Sequence, residues 1–169
     1  MEEIVNRVAK SPLISIDLED YLDKGAIEVF DLKDVLFQGM VLREKDFRDF
    51  AKSNDWSAYT GKNVGLICSA DAIVPTWAYM LLVTKLSAFA NIVTFGYQDE
   101  VEKAIIDDAI DTCLSQQDLT DKKVVIKGCG NIKNIEYAYT RVASRLFPIV
   151  SSLMYGEPCS TVPIYKRKK

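Results

Sequence analysis

From residue 62 onward the chain alternates short apolar or β-branched runs with segments of helical length. "NVGLICS" (63–69), "NIVTFG" (91–96), "KVVIKG" (123–128) and "IVSSLMYG" (149–156) are separated by stretches suited to helices over 72–90, 99–114 and 134–147. Strand, helix, strand, helix, strand, helix, strand is the pattern of a mostly parallel sheet with right-handed crossovers. The first three runs are nearly continuously apolar, which suits strands buried on both faces. In the second helical stretch Val101, Ala104, Ile105, Ala109 and Ile110 fall at helical spacing.

Residues 1–61 read differently. A short helix is expected over 1–11, stopped at Ser11-Pro12 because the residue before proline disfavours α geometry. "LISIDL" (13–18) and "AIEVFDL" (26–32) alternate apolar and polar residues across Asp23-Lys24-Gly25, the pattern of two strands paired as a hairpin. "VLFQGMVL" (35–42) reads as strand or short turn, and "REKDFRDFAKSND" (43–55) as an amphipathic helix with Phe47 and Phe50 on its apolar face. The expected fold class is therefore α/β. It is a single domain, 1–169, whose N-terminal hairpin and helix (1–61) precede a strand-helix series (62–169) forming a mostly parallel sheet.

Composition narrows the function. A net charge of −3 with 27% charged residues gives no electrostatic ground for nucleic acid as the main partner. "AIVPTWAYMLLVTKLSAFA" (72–90) is long enough to span a bilayer, but Lys85 lies inside it, Pro75 near its start, and strand-like runs flank it. A helix buried between a sheet and its neighbours is expected instead, and no membrane association. The acidic start "MEEIVNRVAKSPLISI" lacks the basic region of a secretory signal. Four cysteines in 169 residues make no disulfide framework, so free thiols in the cytoplasm are expected.

The chain has no histidine, which removes imidazole bases and imidazole metal ligands. Attention passes to the thiols. Cys68 ends the first parallel strand, Cys129 follows the third between Gly128 and Gly130, and Cys159 follows the last strand in "YGEPCSTVP". All three are expected at the carboxyl edge of one sheet, where open α/β folds place their ligands. Cysteine at a strand end is commonly core, the expectation that weighs most on Cys68, while Cys113, late in a helix, suits packing. Asp71 is placed to cap the helix that follows or to add a carboxylate to a thiolate site. Ser69 and the amides at that helix start are candidates for holding an anion, as are Gly128 and Gly130 for close approach of a bound group. Glu157 reads as a solvated turn carboxylate, Trp77 and Tyr79 as core, and the basic tail "KRKK" as a solvated end.

Three functions follow. Cys68, Cys129 and Cys159 with Asp71 are candidate ligands of a transition metal or iron–sulfur unit, or handlers of sulfane sulfur, because soft thiolates select such species. Cys129 or Cys159 is alternatively a catalytic nucleophile in a small-molecule enzyme. Its thiolate would be favoured by Lys127, on the same strand face as Cys129, or by a helix N-terminus. The third is a non-catalytic homodimeric module meeting through the N-terminal hairpin.

The segments "ICSADAIVPTWAYMLL", "VVIKGCG" and "YGEPCSTVPIYKRKK", together with the opening "MEEIVNRVAKSPLISIDLEDY", resemble a bacterial family of unknown function, DUF2480, over nearly the whole chain. The resemblance brings no activity with it. It implies iron–sulfur assembly proteins as partners, by association alone, and it points to Cys68, Asp71, Cys129 and Cys159.

Overall fold

The computed structural model describes residues 13–128 and 130–168; the helix expected over 1–11 and Cys129 itself lie outside the described residues. Along the described chain run β1 (Leu13–Ile16), β2 (Ile27–Asp31), α1 (Glu44–Ser53), β3 (Asn63–Ile67), α2 (Thr76–Leu86) and β4 (Ile92–Phe95). They are followed by α3 (Gln98–Gln116), β5 (Lys123–Ile126), α4 (Ile135–Leu146), β6 (Ser152–Glu157) and β7 (Ser160–Lys166). The chain divides into two compact units: Asp23–Ile105, and the chain through Leu22 together with everything from Ile106 onward. The division falls inside α3.

The unit Asp23–Ile105 is built on a parallel sheet in the order β2-β3-β4. All five residues of β3 are buried: Val64 to Ile67 as an apolar run requires, and Asn63 with its side-chain amide donating to Asp23 and to the Gly25 carbonyl. Phe47 and Ala51 of α1 and Ala78, Leu82 and Leu86 of α2 join Val64 and Leu66 in one core. The Phe30 ring stands 5.8 Å from that of Trp56 and 6.2 Å from that of Phe50. The indole N–H of Trp56, which burial would otherwise leave unpaired, donates to the Ala51 carbonyl at 2.9 Å. At Gly65 a side chain would overlap the Gly96 carbonyl oxygen and come 3.0 Å from Val101, so the first turns of α3 approach β3 only because that position is glycine.

The other unit is a sheet in the order β1-β5-β6-β7, parallel except for β7. Ile16, Val124, Ile126 and Leu153 share a core with Ile106, Ile110 and Cys113 of α3 and Val142 and Leu146 of α4. Asp107 fastens the two helices by accepting from the Tyr137 hydroxyl and the Arg141 guanidinium, both at 2.8 Å.

The α/β class and the mostly parallel pairing are as expected. Three details differ. The N-terminal hairpin does not form: β1 pairs with β5, and β2 pairs with β3. Alternation reports a half-buried strand and is silent about its partner, and an edge strand of a parallel sheet alternates too. Asp23-Lys24-Gly25 is a polar junction rather than a hairpin turn. The Asp23 carboxylate accepts from the Gly25 amide at 2.8 Å and from the Asn63 and Asn91 side chains at 2.7 and 2.8 Å. Second, the strand series is shared between two sheets instead of one. Third, "STVPIYK" adds an antiparallel strand beyond 149–156, where the expected series ended. Pro163 lies beside a register shift opposite Leu153 and Met154, on an edge strand, where a missing N–H is tolerated. Residues 35–42 resolve into a turn, with single bridges from Phe37 to Val41 and from Val41 to Ile73.

α2 is shorter than the 72–90 expected, and apolar side chains occupy its outer face as well as its inner one. Ala78, Leu82 and Leu86 are buried while Met80 and Val83 are exposed, so the fully buried helix is corrected to a one-sided one. Among the described residues no helix is long and apolar enough to cross a membrane.

Candidate thiol site at a sheet edge

β5 and β6 run parallel in the register Ile126↔Tyr155. The loop that carries Gly128, Gly130 and Asn131 and the turn Pro158–Cys159 that joins β6 to β7 therefore leave the four-stranded sheet at the same, carboxyl, edge. The backbone before Cys129 is held by two tyrosines. The Tyr139 hydroxyl donates to the Lys127 carbonyl at 2.8 Å, and the Tyr155 hydroxyl donates to the Gly128 carbonyl at 3.3 Å. A side chain at 128 would stand 2.6 Å from the Tyr155 ring, so glycine is needed there for close approach. On the far side of the loop, the Asn131 amide donates to Glu19 at 3.4 Å, and the same carboxylate would lie 2.9 Å from a side chain at Gly130.

Lys127, the cation expected to favour a thiolate, is occupied. Its amide donates to the Ile16 carbonyl at 2.9 Å and its ammonium lies 3.5 Å from Asp17. Beside the loop, between α4 and β6–β7, opens a cavity of about 460 Å³ lined by Ile126, Ile135, Tyr139, Val142, Leu153 and Tyr155. Its lining is overwhelmingly apolar, with the two tyrosine hydroxyls at the loop end. Cys159 is exposed in its turn, and Cys113 is buried, with the Gln117 amide donating to its sulfur at 3.3 Å. Burial pushes the Cys113 thiol pKa up, outweighing the Gln117 and Tyr21 hydrogen bonds.

Cys68 belongs to the other sheet. It is half-buried past the end of β3, its sulfur 3.8 Å from the Ala70 carbonyl, and it lines a cavity of about 290 Å³ with Tyr79, Phe95, Tyr97 and Glu100. The convergence of three cysteines on one sheet edge is thus corrected: Cys68 follows β3 of the three-stranded sheet, whereas Cys159 and the loop of Cys129 are on the four-stranded one. Ser69 serves Asp31, donating its amide at 3.0 Å and its hydroxyl at 2.5 Å. Burial pushes the Asp31 carboxyl up, but these donors with the Lys33 amide overcome it and hold the group at about 2. Asp71 is exposed and does not cap α2, which starts at Thr76 after Pro75 with no side-chain cap. The helix start expected to offer amides beside Ser69 therefore lies further along the chain. Trp77 and Tyr79 pack half-buried against the core, and Glu157 is an exposed strand end.

Tyr139, Tyr155, Glu19 and Asp17 were not legible as site residues. Their meeting at Lys127–Asn131 depends on strand register and on β1 pairing with β5, neither of which a single sequence states. Among the described residues no three Cys, Asp or Glu side chains are grouped to hold a metal ion.

These features define a mixed α/β protein with two mostly parallel sheets and a tyrosine-braced loop at the edge of one. A family profile matches residues 2–167, with the description "Protein of unknown function (DUF2480)", and the chain belongs to that family. No curated protein and no solved structure matches the chain.

Proposed function

We propose that the carboxyl edge of the four-stranded sheet is a two-thiol site, Cys129 and Cys159, that takes up a soft metal ion or sulfane sulfur in the cytoplasm and passes it on. The observation that carries this reading is the parallel β5–β6 register, which sends the Gly128–Gly130 loop and the Cys159 turn out of one edge. Two thiolates leave a soft ion incompletely coordinated, as suits a carrier better than a closed structural site. Iron–sulfur assembly proteins are the partners such a carrier would serve. Elemental and persulfide analysis of protein purified without oxygen tests it. The expected result is metal or persulfide that is lost in Cys129→Ser and Cys159→Ser and retained in Cys68→Ser. Less than about 0.1 equivalent of metal, with no persulfide, overturns it.

A second reading, a small-molecule enzyme with Cys129 as nucleophile, draws support from the apolar cavity beside Gly128, whose size is in the range of ligand pockets. Alkylation rate against pH separates the two. A nucleophile requires a thiol pKa well below the ordinary ~8.5, and the engagement of Lys127 by Asp17 works against it.

A further inference from the structure

At its amino edge, where Lys123 opens β5 and Ser152 opens β6, the four-stranded sheet carries a hollow of about 560 Å³ whose charge is one-sided. Lys123, Ser152 and Lys166 lie side by side on β5, β6 and β7 in the register Lys123↔Ser152↔Lys166. Residues paired directly across strands share a face, so the two lysine stems rise together, two strand spacings or roughly 10 Å apart. Lys168 lines the same hollow. Arg167 is engaged elsewhere. Its amide donates to the Ser151 carbonyl at 2.9 Å, and its guanidinium donates to Asp121 and to the Pro148 and Ile149 carbonyls at 3.3 and 3.4 Å. The basic end expected to be solvated is thus fastened at Arg167. Asp121 is the single carboxylate of the lining, and Arg167 holds it. Among the described residues Lys123, Lys166 and Lys168 have no ion pair. Of the residues just before the hollow in sequence, Lys122 is exposed and Asp118 accepts from the Thr120 amide at 2.9 Å within its own turn.

We propose that this hollow docks an acidic segment of a partner protein. Three unpaired ammoniums gathered on a chain of net charge −3 make a local positive field that an anion relieves. The donor types select the anion. A phosphate pocket is built from backbone amides or a free arginine fork. Here the arginine is occupied, and both serine hydroxyls donate to carbonyls, Ser151 to Lys122 at 3.0 Å and Ser152 to Tyr165 at 3.3 Å. What remains is three separate point charges spread across the sheet. They match carboxylates spaced along an extended chain, whose every second side chain is about 6.8 Å further on. A nucleic acid or an anionic bilayer extends beyond the hollow and meets the rest of the chain, which is more acidic than the net −3 once these lysines are set aside. The docking does not depend on the thiol reading, whose groups leave the opposite edge of the sheet.

Fluorescence anisotropy of a labelled octaglutamate peptide titrated with the full chain tests this. Binding tighter than about 100 µM is expected at about 50 mM salt, weakening at about 300 mM. Lys123→Glu/Lys166→Glu should weaken it by about tenfold or more, while Lys45→Glu/Lys52→Glu, the same change of net charge on α1, leaves it within about twofold. Far-ultraviolet circular dichroism checks that both variants fold. Should the change on β5 disturb the sheet, Lys166→Glu/Lys168→Glu carries the comparison. Absence of peptide binding at low salt overturns the proposal. So does an equal loss in the α1 variant, or tighter binding of phosphatidylserine vesicles or of a single-stranded DNA of equal charge.

Discussion

The rings of Tyr139 and Tyr155 meet edge to face, centroids 5.2 Å apart and planes at 88°, and their hydroxyls take successive carbonyls, those of Lys127 and Gly128. One tyrosine comes from α4 and the other from β6, so helix and strand together fix the backbone that leads into Cys129. Tyr139→Phe and Tyr155→Phe should each cost about 1 kcal/mol in denaturant unfolding. The double variant should lose less than the sum, since both act on one loop. Additive losses would show that the two hydrogen bonds are independent.

Gly65→Ala is expected to destabilise the protein by at least about 2 kcal/mol, because the new methyl group meets a backbone carbonyl that cannot move without shifting the β4–α3 junction. Chemical denaturation measures this directly. An alanine variant of wild-type stability would mean that the approach of Val101 to β3 is looser than described.

The three described cysteines should differ sharply towards a thiol reagent. Exposed Cys159 should react first, half-buried Cys68 more slowly, and Cys113 only when the protein unfolds, since its thiol is both covered and raised in pKa. Mass mapping of labelled peptides over time gives the order. Rapid native labelling of Cys113 would contradict its place in the core.

Acid should act through Asp31 and Asp23. Both carboxyls lie below the ordinary 3.8, Asp31 at about 2, despite the upward push of burial on each. A carboxyl lowered on folding contributes stability above its unfolded pKa and loses it as pH falls through the folded one. Wild-type stability should therefore decline as pH falls from about 4 towards 2. Asp31→Asn should be less stable at neutral pH by about 1–2 kcal/mol and show a shallower acid decline. Equal slopes for the two proteins would remove Asp31 from the account.

Element types were largely readable because the evidence for them is local. β3 announced itself by five apolar or neutral residues in a row, and α1 by Phe47 and Phe50 among charges. Partnership was not readable, because it is decided between residues far apart. "LISI" alternates whether its neighbour is β2 or β5, and only burial of Ile16 against α3 and α4 selects β5. The candidate site suffered most from this. Placing Cys68 beside Cys159 required one sheet, and a strand-helix series reads the same whether it builds one sheet or two. β7 lay outside the expected series, and its Pro163 is accommodated because β7 is an edge strand, which tolerates what a central one does not.

Leu13 finds its partner at Lys123, whereas every strand pair of the three-stranded sheet closes within Ile27–Phe95. A ribosome therefore delivers the two sheets at different times. The three-stranded one has all its strands once Phe95 has left the exit tunnel, while β1 must wait, without its parallel neighbour, for more than a hundred further residues. Long-range parallel pairing is the slow kind. The expected sequence of events during synthesis is early closure of the middle of the chain. Capture of its first strand is then the late step, and an interval follows the emergence of β1 in which that strand is open to pairing with the wrong neighbour.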